Sequence, residues 1–134
     1  MTLTSGIEQV WTLTPSWVRP PLSMNDRHNR WREAELVKMI RTAAMIATRN
    51  AHIPPLEHAT VVMTWTVPDR RKRDSENPVA TLKPWCDGIV DAGTVVPNDT
   101  PEWMTKLMPV IEYRKGQAGV RFVVAGRVRG VGVV

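Results

Sequence analysis

Val61-Val62-Met63-Thr64-Trp65-Thr66-Val67 runs without a break into Pro68-Asp69-Arg70-Arg71-Lys72-Arg73-Asp74-Ser75-Glu76-Asn77, and the reading of this stretch decides the fold. The first seven residues are β-branched or aromatic except for Met63, a composition that suits a pleated, half-buried surface and predicts a strand. Pro68 cannot donate to a strand ladder and opens a charged loop that reaches about Asn77. Beyond it a helix is expected from about Leu82 to Ala92, with Thr81 as N-cap. Pro84 is tolerable only in the first turn of that helix, and Gly93 is the expected C′ residue that ends it.

Upstream, Trp31, Leu36, Met39, Ile40, Ala43 and Ile46 follow a three-four spacing that predicts a helix from Trp31 to about Asn50, stopped by Pro54-Pro55. Ile7 to Leu13 alternates apolar and polar residues and reads as a half-buried strand. Pro15, Pro20 and Pro21 make a long loop to about Arg30. Downstream, a short strand is expected over Thr94 to Val96. Met104 to Tyr113 and Val120 to Val128 read as two more strands, joined by a turn at Lys115-Gly116-Gln117-Ala118-Gly119. The glycine- and valine-rich end, about 126–134, reads as a flexible tail. The order strand, helix, strand, helix, strands implies an α/β (α+β) fold: a small single-layer mixed β-sheet with two main helices packed on it, one domain over residues 1–134.

The composition supports that size of core. With 43% hydrophobic and 23% charged residues, the 134-residue chain is ordinary globular material. No apolar stretch approaches the roughly 18 residues of a membrane span. Met1 to Val10 carries Glu8 and has no apolar h-region, which argues against a signal peptide. Cys86 is the single cysteine, so no intrachain disulfide or cysteine zinc site is available, and a reducing cytoplasm is the expected compartment. A formal net charge of +5 favours a polyanionic partner such as nucleic acid, although it also serves solubility.

The chemistry concentrates where the first strand-loop-helix begins its loop. In an extended segment Asp74 and Glu76, with Ser75 between them, face the same side. Two such acids at a strand end can share a divalent cation, and Mg²⁺ asks for one or two carboxylates completed by water and substrate phosphate. A third acid would complete a site, and Asp87, Asp91, Asp99 and Glu102 are the candidates. Asp87 and Asp91 stand four apart on a helix, where like charges repel mildly, so one of them should have a reason to be there. Lys83 can reach a phosphate as a point charge. The competing reading is plain: acids and asparagines favour turns and caps, and a charge run is often only a solvated loop. His28, His52 and His58 have no zinc-ligand spacing, and the phosphate-loop, dinucleotide and nucleophile-elbow glycine motifs are all missing. Cys86 reads as a packed thiol and Trp65 as packing.

Taken in order, Pro68-Asp69-Arg70-Arg71-Lys72-Arg73-Asp74-x-Glu76-Asn77, then Lys83, then Asp87-Gly-Ile-Val-Asp91-Ala-Gly93, then Asn98-Asp99, resembles the RusA-type Holliday junction resolvases. Arg19-Pro-Pro-Leu-Ser-Met-Asn25 is similar to that family's proline-rich opening. The resemblance covers roughly residues 9–125 and is strongest over 67–103. It implies a homodimeric, Mg²⁺-dependent endonuclease, with Mn²⁺ as a substitute, that cuts four-way DNA junctions in a bacterial or phage-infected cell. It implies Asp74, Glu76 and Asp99 as catalytic metal ligands and Lys83 as the catalytic lysine. Arg70, Arg71, Lys72, Arg73 and Asn77 would meet DNA. The chain departs from the family pattern at Glu76, where the family has Asp, in three extra residues before Lys83, and at Asn98 in place of an acid. Two rival functions stay open: a junction-binding protein without catalysis, and a nuclease acting on flaps or forks.

Overall fold

Strand β2 (Ala59–Val67) is the centre of the sheet because its alternation buries one whole face. Ala59, Val61 and Met63 are fully buried, and Val67 nearly so. A computed structural model describes residues 7–130 and is the structure used throughout. The other elements are β1 (Glu8–Leu13), α1 (Arg30–Asn50), α2 (Val79–Asp91), β3 (Met104–Lys106), β4 (Val110–Tyr113) and β5 (Gly119–Arg127).

The sheet is mixed, in the order β1-β5-β2-β3, with β4 also on β2. β5 pairs antiparallel with both β1 and β2, while β3 and β4 pair parallel with β2. The parallel pairing requires a crossover, and α2 supplies it. The expected fold class is therefore present: five strands in one mixed sheet, with two helices against the core.

α1 buries Leu36, Ile40, Ala44 and Thr48, a stripe spaced by four. α2 buries a broader set that includes Leu82, Trp85, Cys86 and Ile89. The two helices approach closely at Gly88, where a Cβ would stand 2.3 Å from the Arg41 carbonyl oxygen and 2.6 Å from the Ala44 Cβ. Arg41 also grips Asp91 with two hydrogen bonds of 2.9 and 2.8 Å. At the centre of the core the Trp85 ring stacks on Phe122, with centroids 3.9 Å apart and planes 5° apart. Trp17, from the proline-rich loop, meets Trp85 edge-on at 5.6 Å.

Five local readings are corrected by tertiary contacts. α2 starts at Val79 rather than Leu82, with Pro78 as N-cap residue, because the turn before it feeds straight into the helix through Val79 N–H to the Glu76 carbonyl. Thr81 is therefore inside the helix and caps nothing. Its hydroxyl donates to the Leu22 carbonyl at 2.7 Å and accepts the Leu22 N–H at 2.9 Å. Pro84 lies past the first turn, in a fully packed stretch, so burial holds it where propensity alone would not. Thr94 to Val96 is not a strand; the Val95 carbonyl accepts the Leu56 N–H at 3.0 Å instead. The strand expected over 104–113 is two pieces, β3 and β4, interrupted around Pro109, which has no N–H for the ladder.

The expected tail is also shorter than read. Gly126 and Arg127 belong to β5, and Val128 bridges to Leu56. The Arg129 guanidinium donates to the carbonyls of Leu56, at 3.0 and 3.2 Å, and Val95, at 3.2 Å. Residues 131–134 of that reading lie outside the described residues. Among the described residues, no helix is long and apolar enough to cross a membrane.

Candidate functional site

The loop that follows β2 is not extended. The Asp74 carboxylate accepts the Glu76 N–H at 2.9 Å, and its carbonyl accepts the Asn77 N–H at 3.1 Å, so 74–77 is a turn. A side chain two positions on in a turn no longer shares the direction of the first, as it would in a strand. Asp74 and Asn77 accordingly line an open cavity of about 940 Å³, and Glu76, though exposed, is not among its walls.

The opposite wall is the proline-rich loop, with Arg19, Asn25, Asp26 and His28 facing the cavity. Its position is set by long-range ties. Trp17 is wedged against the Trp85–Phe122 stack, Leu22 is held by Thr81, and the Met24 N–H donates to the Asn77 carbonyl at 3.0 Å. Asp26 accepts the Ser23 N–H at 2.8 Å and stands 3.4 Å from His28 Nε2. Trp65 is half-buried and contributes to the cavity as well as to the core, so packing is only part of its role.

The four basic residues of the loop divide by role. Arg73 is 13% exposed and is used within the loop: it pairs with Asp69 at 2.9 Å and donates to the carbonyls of Asp69 and Arg71. Its guanidinium also lies 5.4 Å from the Trp65 ring centroid. The Arg71 N–H and the Arg73 side chain together hold the Asp69 carboxyl below its ordinary range. Arg70 sits over the Tyr113 ring at 4.6 Å. Arg71 is 76% exposed, and Lys72 is exposed and lines the cavity. Arg71 keeps a looser pair with Asp69 at 3.5 Å, and Lys72 has no carboxylate partner among the described residues.

Asp99 stands in a different place. It pairs with Lys106 at 2.5 Å, and this hydrogen bond holds its carboxyl below the ordinary range. Asp87 of α2 lies near enough to Asp99 for each carboxyl to influence the other's titration. Burial first, and the charge of Asp99 second, push the Asp87 carboxyl upward. Burial works against the Lys106 charge, but the bond to Asp99 and the nearby acids outweigh it, so the lysine is raised. Lys83 is exposed one turn before Asp87 and its charge is felt there. Asp87 lies eight residues into α2 from Val79, ~12 Å along the axis from the end that the Asp74 turn feeds.

Among the described residues, no three His, Cys, Asp or Glu side chains come together closely enough to hold one metal ion. Asp74, Glu76 and Asp99 are hard oxygen donors of the type Mg²⁺ takes, but as placed they do not make one cage. Of the other candidate acids, Asp91 pairs with Arg41, whereas Glu102 meets His58 Nδ1 only through its backbone carbonyl, at 3.0 Å, and its carboxylate has no partner among the described residues. Cys86 is buried, and burial pushes its thiol up to about 12, which makes it a packed thiol and no nucleophile at neutral pH.

Four participants were not legible from local pattern. Lys106 of β3 meets Asp99 seven residues before it, and a lone lysine in a strand carries no signal of that. Arg19, Asp26 and His28 reach the cavity only because the proline-rich loop is tied to α2. For Asp87 a signal did exist: its four-residue spacing from both Lys83 and Asp91.

Comparison with known proteins adds little chemistry. No family model matches the chain. A protein of Xylella fastidiosa (strain Temecula1 / ATCC 700964), described as an uncharacterized protein, is 31% identical over 93 residues. That match takes 66% of this chain and spans about three fifths of the relative, 61% of its length. The chain is thus a small mixed α/β protein with a cation-lined groove and a separate acid–lysine cluster.

Proposed function

We propose that this chain is a structure-selective endonuclease that resolves four-way DNA junctions by paired phosphodiester hydrolysis. It acts as a homodimer in the cytoplasm of a bacterial or phage-infected cell, with Mg²⁺, or Mn²⁺ in its place, as cofactor. The observation that carries this reading is the groove, where Asp74 has no cationic partner among the described residues while Arg19 and Lys72 line the same cavity. A carboxylate left unneutralised among cations suits a site whose other charges arrive with the substrate.

The protein's own groups have defined tasks in this reading. Arg19, Lys72 and Arg71 draw in the phosphate backbone and set its register. Asp74, its orientation held by the Glu76 N–H, accepts a proton from the attacking water. Lys83 and Lys106 offset negative charge near the acid cluster around Asp99. Mg²⁺, when bound, supplies neutralisation of a phosphoryl oxygen and a more acidic water. The paired cuts of a near two-fold junction call for two copies related by a two-fold axis.

A second reading, a junction-binding protein without catalysis, is favoured by one observation: Asp99 is already paired with Lys106, and among the described residues no three acids come together to hold one metal ion. Labelled four-way junction, fork, flap and plain duplex are the substrates that decide. Symmetrical nicks in the junction that need both Mg²⁺ and Asp74, and are lost in Asp74→Asn, are expected. Tight junction binding without cleavage in Mg²⁺ or Mn²⁺ selects the binding protein. Faster cleavage of forks or flaps than of junctions selects the other nuclease.

A further inference from the structure

Beside the groove, the chain from Arg27 to Arg32 carries three arginines and no acid, and all three are exposed. Among the described residues none of Arg27, Arg30 and Arg32 has a carboxylate within ion-pair distance. Between them Trp31 is 83% exposed, and Met24, a few residues back, is 65% exposed. Nothing in the described fold covers this indole. Its placement is firm, because Asn29 accepts the Arg32 N–H on its side chain at 2.8 Å and the Glu33 N–H on its carbonyl at 3.0 Å. The patch is continuous with the groove through His28, which precedes Asn29 and lines the cavity wall.

We infer that Trp31, with Arg27, Arg30 and Arg32, is a second DNA-contact site, on which an unstacked base at a branch point lies against the indole while the arginines hold the flanking phosphates. The inference rests on the DNA reading of the groove and deepens it, by naming the feature of the substrate that is recognised. A ring face accepts any base and is sequence-tolerant, whereas plain duplex keeps its bases stacked and offers the indole nothing. Arginines meet phosphates whether or not the bases are paired. The tryptophan therefore discriminates branched from unbranched DNA, and the arginines set overall affinity. A second copy of this chain is the rival occupant, but a surface bearing three unpaired like charges repels itself across a two-fold axis.

The test is binding in metal-free buffer, so it is independent of cleavage. Wild type, Trp31→Ala, Trp31→Phe and the triple variant with Arg27, Arg30 and Arg32 changed to Gln are titrated with a four-way junction and with duplex of the same length. The junction carries 2-aminopurine at the branch point. Trp31→Ala is expected to weaken junction binding by about 5- to 150-fold, the worth of one stacked base, and to leave duplex binding unchanged. Trp31→Phe should retain most of the affinity. The 2-aminopurine signal should change on binding wild type and not on binding Trp31→Ala. The triple variant should weaken both substrates and flatten the salt dependence. Equal junction affinity for Trp31→Ala and wild type overturns the inference, as does an equal loss on junction and duplex. A shift in oligomeric state of Trp31→Ala with unchanged DNA binding assigns the patch to a protein contact and overturns it too. If wild type itself binds no DNA, the groove reading fails first, and that is visible without any variant.

Discussion

Asp74 and Asp99 are carboxylates of similar local context, each in a turn beside α2, and the fold treats them oppositely. Asp74 is exposed to a groove with its charge unanswered, whereas Asp99 is tied to Lys106 and crowded by Asp87. Neutralising a carboxylate within the protein stabilises the fold and lowers its capacity to act on an incoming group. Leaving it bare does the reverse. On the proposed function, substrate chemistry falls to the Asp74 side, while the Asp99 side is an internally balanced cluster that Lys83 borders.

The comparison breaks most easily at Asp74. Asp74→Asn should lower junction cleavage by about 100- to 10,000-fold, the usual range for a lost acid–base group, with the thermal midpoint almost unchanged. Asp99→Asn should cost less cleavage. Equal losses in single-turnover assays of the two variants would mean that the two acids work as one site despite their separation.

The next largest effect tests what positions the Asp87–Asp99 cluster. Gly88→Ala forces a methyl into the Arg41 carbonyl, pushing α1 and α2 apart at the turn that carries Asp87. Thermal or denaturant unfolding should show a loss of about 1–3 kcal/mol. Wild-type stability in this variant would show that the helix crossing is looser than the contact distances imply.

Thr81→Val sharpens the comparison from the other side, since Thr81 is what holds the groove's far wall. It removes both hydrogen bonds to Leu22 and leaves a buried N–H and carbonyl without partners. About 1–3 kcal/mol of stability should be lost. Hydrogen exchange at residues 22–26 should rise, while exchange around Lys106 stays as in wild type.

The smallest effect is electrostatic. Asp99 is held below its ordinary 3.8, so its contribution is present above that pH and is lost as pH falls through the lowered value. Lys106 is raised above 10.5, so its contribution is present below that pH and is lost as pH rises through the raised value. Asp87 runs the other way: its raised carboxyl favours the fold in acid and loses that as pH rises through it. Lys106→Met should flatten both losses of the pair in unfolding curves against pH. At neutral pH it should cost about 1 kcal/mol or less, because both partners are roughly a third exposed. A loss of several kcal/mol would place the pair among the buried ones.

What could be read before the fold was known follows the range of the interactions involved. β2 was legible because seven consecutive residues suit a pleated surface, and α1 because no proline or glycine interrupts residues 31–50, although Trp31, Met39 and Ile46 of its apolar spacing are exposed. The pinning of 126–129 was not legible, because it depends on Leu56 and Val95 far along the chain, while the start of α2 and the break at Pro109 turn on single local features that a window of pattern averages away. For the site, the position of Asp74 after β2 and the basic character of its loop were local facts. The turn that parts Asp74 from Glu76, and the withdrawal of Arg73 into loop hydrogen bonds, were not.

The sequence by itself determined that this is a small mixed α/β chain with a cation-rich loop between a central strand and a helix, because periodicity and turn residues are written over short spans. Only the folded structure decided which acid has a cationic partner, since that depends on Lys106 of β3 turning back onto Asp99. It also decided that the proline-rich loop would wall the groove, through Trp17 and Thr81, and that Trp31 would be left in water. The wall of the groove rests on contacts between residues about 59 to 105 positions apart, and no local pattern encodes them.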